Sequence, residues 1–165
     1  MSLLHRLFGG RAGSSATASG QAPTPGQWRS LLIPAVDQPY SNRALEVAFR
    51  LAQGTDARIQ LAYLIEVPRI LSLDAALPDA ESVAANALHI AERAAIPYKV
   101  NVESVIYRTR KAHERILSLI PEEKVDLLIL GARPDRTRGL PGEMARELFL
   151  AAPCEVIVDY IANEK

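Results

Sequence analysis

One cysteine in 165 residues, Cys154, leaves no internal disulfide and no cysteine-based metal cluster, and after Pro153 it reads as a small buried residue. Acidic and basic side chains balance to a net charge of +0, with a pI near 6.8. The chain therefore has no global field to draw it to nucleic acid or an anionic membrane. No apolar run approaches the roughly 20 residues of a spanning helix, so stable membrane insertion is not expected. Gly-Lys-Ser/Thr before a helix, the mark of a phosphate loop, does not occur, nor does the Gly-x-Ser-x-Gly turn of many hydrolases. His89 and His113 stand without a second histidine or carboxylate at ligand spacing and read as ordinary surface or core residues, not metal ligands. No residue set reads as catalytic, and no enzyme is expected.

What remains is an ordinary globular composition. Hydrophobic residues make up 48% and charged residues 23%, enough for one domain to bury a core, and the sparse cysteine suits the cytoplasm. Residues 1–28 read differently. Gly9–Gln27 is rich in Gly, Ser, Ala, Thr and Pro and cannot bury a core, which predicts a flexible N-terminal tail ahead of a domain over 29–165. Met1–Phe8 carries Leu3, Leu4, Leu7 and Phe8 beside His5 and Arg6, a very short amphipathic pattern. Three readings stand open for it: a disordered or tag-derived end, a contact with a partner or membrane surface, and an organellar leader.

From Trp28 onward strands alternate with helices. Leu31–Val36 is an apolar run ending at Asp37; its Pro34 belongs at the carboxyl edge, where pairing lapses. Ser41 is placed to N-cap a helix with Ala44, Leu45, Ala48, Leu51 and Ala52 inward, closed by Gly54. Ile59–Val67 is the next strand. A helix from Asp79 should bury a stripe of Val83, Ala84, Ala87, Leu88, Ala91 and Ala94–Ala95. Lys99–Tyr107 alternates as an edge strand does. Ala112–Ile120 is a further helix with Ala112, Ile116, Leu117 and Ile120 inward and Pro121 after it. Val125–Tyr160 then runs strand, Arg-rich loop, helix, strand, with Leu127–Leu130 and Val156–Val158 as the strands and Met144–Ala152 as the helix. Met144, Leu148 and Ala151 should share its buried face. This alternation predicts an α/β fold with a parallel sheet and helices on both faces. The loop after Gly131 sits where a helix N-terminus faces the carboxyl end of a strand, the default anion site of such folds.

Taken together, LLIPAVDQPYSNRALEVAFRLA, ARIQLAYLIEV, VDLLILGAR and AAPCEVIV, in this order and spacing, resemble the universal stress protein family over nearly all of Trp28–Tyr160. The resemblance implies a Rossmann-like five-stranded parallel sheet of order 3-2-1-4-5 and a homodimer paired through the last strand, 155–161. It also implies a stress-response role without catalysis. Many members bind ATP through Gly, two residues, Gly, nine residues, Gly, then Ser or Thr. Gly131 matches the first position. Pro134 stands at the second glycine, only seven residues precede Gly142, and Glu143 replaces the hydroxyl.

These departures point one way. Proline has neither the N–H a phosphate uses nor glycine's conformational range, and a carboxylate in the first helical turn occupies the anion position itself. The arginines Arg133, Arg136 and Arg138 partly offset this. Asp37 matches the family's first-strand aspartate near the nucleotide and reads equally as a loop cap. Leu64 and Leu130 match positions flanking the adenine and would be buried in any case. The leading expectation is a regulatory or interaction domain with a degenerate nucleotide loop. The alternative is a switch that binds ATP or AMP through Asp37, Leu64, Leu130, Gly131, Arg133, Gly142 and Glu143.

Overall fold

The computed structural model describes residues 27–133 and 139–160. Along these, β1 (Ser30–Val36), α1 (Asn42–Ala52), β2 (Arg58–Glu66), α2 (Pro78–Ala95), β3 (Asn101–Thr109), α3 (Ala112–Glu122), β4 (Leu127–Arg133), β5 (Leu140–Pro141), α4 (Gly142–Ala151) and β6 (Glu155–Tyr160) follow in order. All pairings are parallel, in the order β3-β2-β1-β4, with β6 along the far side of β4. With β6 as the fifth long strand, this is the expected order 3-2-1-4-5. The sixth strand, β5, is a two-residue piece that pairs Ala132 and Arg133 with Leu140 and Pro141. Because Ala132 also pairs with Tyr160, β5 lies on the β1 side of β4, in the place β1 has vacated.

That vacancy explains how a strand interior holds a proline. Ser30 O accepts from Asp126 N and Arg29 O from Arg58 N, so even-numbered backbone groups of β1 face β4 and odd-numbered ones face β2. Pairing with β4 stops at Leu32, whereas pairing with β2 continues to Val36. Pro34 is even, so the N–H it lacks would point where no ladder remains.

The sheet buries two apolar layers. Odd residues of β1 and β2, with Leu127 and Ile129, meet α1 and α2; Phe49, Tyr63 and Leu61 are the bulk of that layer. Even residues, with Leu128 and Leu130, meet α3 and α4 through Ile116, Leu119 and Leu148. Strands buried on both faces read as continuous apolar runs, which is why β1, β2 and β4 were visible as such.

Some inward faces differ from expectation. On α2 the buried stripe is Ala84, Ala87, Leu88, Ala91 and Ala95, while Val83 and Ala94 are exposed. On α3, Leu119 is buried beside the expected face, Leu117 is partly buried against the same core layer, and Pro121 lies inside the last turn. On α4, Ala145 and Leu148 are buried and Ala151 is exposed. In each case apolar residues cover more than one helical face, and contact with the sheet selects one of them. Among the described residues no helix is long and apolar enough to cross a membrane. The predicted tail, residues 1–28, lies almost wholly outside the described part.

Candidate functional site

The carboxyl edge of the sheet gathers the ends of β1, β2, β4 and β6 and the starts of α1, α3 and α4. Helix N-termini concentrate unpaired N–H groups and the positive end of the dipole there, so an anion is expected at each of them. The chain supplies its own. Ser41 caps α1, its Oγ accepting from Ala44 N at 3.4 Å. The same hydroxyl donates to Asp159 Oδ2 at 3.4 Å, and Arg43 Nε lies 3.3 Å from Asp159 Oδ1. The side chain of Asp159 is only 8% exposed. At α3 no residue caps in sequence. Instead Glu66, the last residue of β2, accepts from Ala112 N through Oε1 at 2.6 Å. At α4, Glu143 lies in the first turn and faces solvent.

Asp37 sits just past β1 with φ +49°, a left-handed conformation that Asp tolerates better than most residues. Its N–H donates to Leu64 O, and both its carboxylate oxygens accept from Glu66 N at 3.3 Å. It therefore ties the end of β1 to the end of β2, as a loop cap does. Partial desolvation holds its carboxyl above the usual carboxylate range, Glu66 N–H opposes that shift, and the charge of Glu66 adds to it.

Leu64 and Leu130 are fully buried in the α3/α4 layer. Gly131 is buried at the position of closest approach: a Cβ there would stand 2.3 Å from Ser41 Cβ and 3.1 Å from Ala44 Cβ. The bare glycine lets the start of α1 lie on β4. Gly139, at φ +77°, is held just as closely, since a Cβ would meet Gly131 O at 2.2 Å, and its N–H donates to Pro39 O. Gly142 is the first residue of α4, and a Cβ there would meet nothing nearer than 3.9 Å. Arg133 ends β4, and its buried Nε has no hydrogen-bond partner among the described residues. Pro134, Arg136 and Arg138 lie outside the described residues.

The structure thus brings Asp37, Gly131, Arg133, Gly142 and Glu143 to one edge and leaves Leu64 and Leu130 inside the core. Sequence reasoning missed Asp159 and Glu66. Glu66 had a faint signal, an acid closing a buried strand just before Val67 and Pro68. Asp159 had none without the pairing that sets it opposite Gly131.

A model of the universal stress protein family matches residues 27–159. No curated protein matches the chain. Among solved structures, universal stress protein UspA from Lactobacillus plantarum is similar at 20% identity, with 79% of this chain and 96% of that one covered and a TM-score of 0.61. The universal stress protein from Archaeoglobus fulgidus in complex with dAMP is similar at 16% identity, 79% and 96% coverage and a TM-score of 0.62. A family protein from Arabidopsis thaliana with AMP bound follows at 13% identity, 81% and 92% coverage and a TM-score of 0.58. At these identities the structures speak to the fold. The family match spans most of the sequence: the chain belongs to the universal stress protein family.

Proposed function

We propose that this chain is a non-catalytic regulatory or interaction domain of the stress response in which the nucleotide crevice is degenerate. One observation carries the reading. At the carboxyl edge Asp37 sits on Glu66 N–H, Glu66 on Ala112 N–H and Asp159 on Ser41 Oγ–H, so the chain's own carboxylates use the donors a phosphate would seek. A polyphosphate arriving there meets like charge, with Glu143 adding a further carboxylate at α4. Gly131, the motif's best match, has a packing reason to be glycine that is independent of any ligand. The test is isothermal titration of nucleotide-free protein with ATP, ADP and AMP, with and without magnesium; the reading expects no heat.

A second reading, an adenine-nucleotide switch, is favoured by the orphaned Arg133 Nε and by the complexes of two relatives with dAMP and AMP. Glu143→Ser separates the two. Binding should appear or strengthen if the carboxylate is the block, and weaken if it orders an arginine loop around a ligand.

The partner surface we propose is β6, joined to a second copy in a cytoplasmic homodimer. Its outer edge is unpaired among the described strands, and Val158, Tyr160, Phe149 and Leu150 leave it apolar and exposed beside α4. An apolar open edge is a template for pairing with another chain.

A further inference from the structure

Helix α2 is apolar on two faces. Ala84, Ala87, Leu88 and Ala91 are buried against the sheet, while Val83 and Ile90, two turns apart on one side, are exposed, Ile90 by 53%. Between this side of α2 and the start of α1 runs a groove of about 260 Å³, walled by Tyr40 and Leu45 on one flank and Ala87, Ile90 and Ala91 on the other. That volume is below the roughly 300–1,000 Å³ of pockets for drug-sized ligands and suits inserted side chains. Tyr40 also has a buried hydroxyl without a partner among the described residues; burial foremost, then Tyr63 and the charge of Glu92 on α2, hold it well above its ordinary range.

The sequence contains a segment with matching chemistry that the proposed function does not use. Leu3, Leu4, Leu7 and Phe8 fall at i, i+1, i+4 and i+5, one face of a helix, with His5 and Arg6 beside them. Residues 1–28 contain Arg6 and Arg11 and no acid, complementary to Glu92. Trp28 packs into the α1/α2 layer, so the chain leaves the described part on the face that carries the groove. The groove lies past the carboxyl end of β1, and Trp28 precedes its amino end. The seven residues of β1 measure about 23 Å. The 18 residues 9–26 can reach at most roughly 60 Å when fully extended, more than that distance. A second apolar concavity among the described residues, between α4 and β6, is lined by Arg146, which repels a basic segment.

We infer that the groove between α1 and α2 is the seat of the chain's own N-terminal segment, Met1–Phe8, which inserts Leu7 and Phe8 against Ile90 and Leu45. Docking covers the exposed Ile90 side of α2.

The test uses the full chain with a nitroxide at residue 5 (His5→Cys, with Cys154→Ser) and isotope-labelled amides. Signals of Tyr40, Leu45, Ala87 and Ile90 should lose most of their intensity while those of Phe149 and Val158 keep theirs, and Leu7→Ser with Phe8→Ser should abolish the loss. Chemical-shift differences between the wild-type chain and Leu7→Ser/Phe8→Ser, with Cys154 intact in both, should map to the same four residues. A loss spread over the whole surface, or centred on Phe149 and Val158, overturns the inference. So does a loss of equal size when nitroxide and isotope are on different molecules, or shift differences absent from the groove.

Discussion

Ser41 and Asp159 meet across a side chain that is not there. Ser41 caps α1, Asp159 belongs to β6, and the strand between them, β4, presents Gly131 at the point where the two approach. The 3.4 Å contact from Ser41 Oγ to the Asp159 carboxylate depends on that missing Cβ. A motif glycine is thus bound up with joining a helix start to the last strand, and the carboxylate it admits accepts from the Ser41 hydroxyl that caps α1.

The two glycines at motif positions, Gly131 and Gly142, should therefore behave oppositely. Gly131→Ala drives a Cβ to within 2.3 Å of Ser41 and should cost about 1–3 kcal/mol in urea unfolding. Gly142→Ala finds its nearest neighbours at 3.9 Å, in a helix, and should be neutral or stabilising by about 0.4–1 kcal/mol. Equal losses at both would contradict the packing account of Gly131.

Asp37→Asn tests the loop-cap role through pH. The folded-state carboxyl is held above its ordinary value of 3.8, so the native state binds this proton more tightly than the unfolded chain does. Its contribution to stability is present below the unfolded value and is lost as pH rises through the raised folded value. Neutral pH therefore carries a small penalty, which Asn removes while keeping an oxygen for Glu66 N. The variant should melt no lower than the wild type at pH 7, and its relative advantage should shrink as the solution is acidified through the carboxylate range. An advantage that grows in acid would refute the sign.

Burial, against opposing help from a Leu128 backbone group, pushes the Cys154 thiol up to about 11. Thiolate is the reactive form, so alkylation of native protein at pH 8 should be roughly 100-fold slower than that of a thiol titrating near 9. Labelling at the unfolded rate would mean that the end of α4 opens readily.

Val158→Asp places a carboxylate on the outer face of β6. If that edge pairs two copies, the uncompensated charge should cost about 3 kcal/mol or more at the interface, over roughly 100-fold in dissociation constant. Sedimentation equilibrium should then show a monomer with unchanged circular dichroism. An oligomer that persists would place the interface elsewhere.

The strands of the sheet were legible because β1, β2 and β4 are buried on both faces and read as unbroken apolar runs, and Ser41 announced α1; the strand order came only from the resemblance to the family. The buried stripe of α2 was less so, since alanines and Val83 leave periodicity two faces to choose from. Leu140–Pro141 could not be read as a strand: two residues carry no alternation, and only the early end of the β1–β4 pairing makes room for them. At the site, Glu143 in a first helical turn was legible. The burial of Asp159 was not, because in EVIVDY it has the look of an outward-facing acid and only its register opposite Gly131 turns it inward.

If the chain's own carboxylates take the nucleotide's place, isothermal titration of nucleotide-free protein with AMP, ADP and ATP, with thermal melting alongside, will read an occupied crevice. No heat and no shift in Tm at millimolar nucleotide is the predicted result. Binding at micromolar concentration would contradict it and identify the loop after Arg133 as a working nucleotide site.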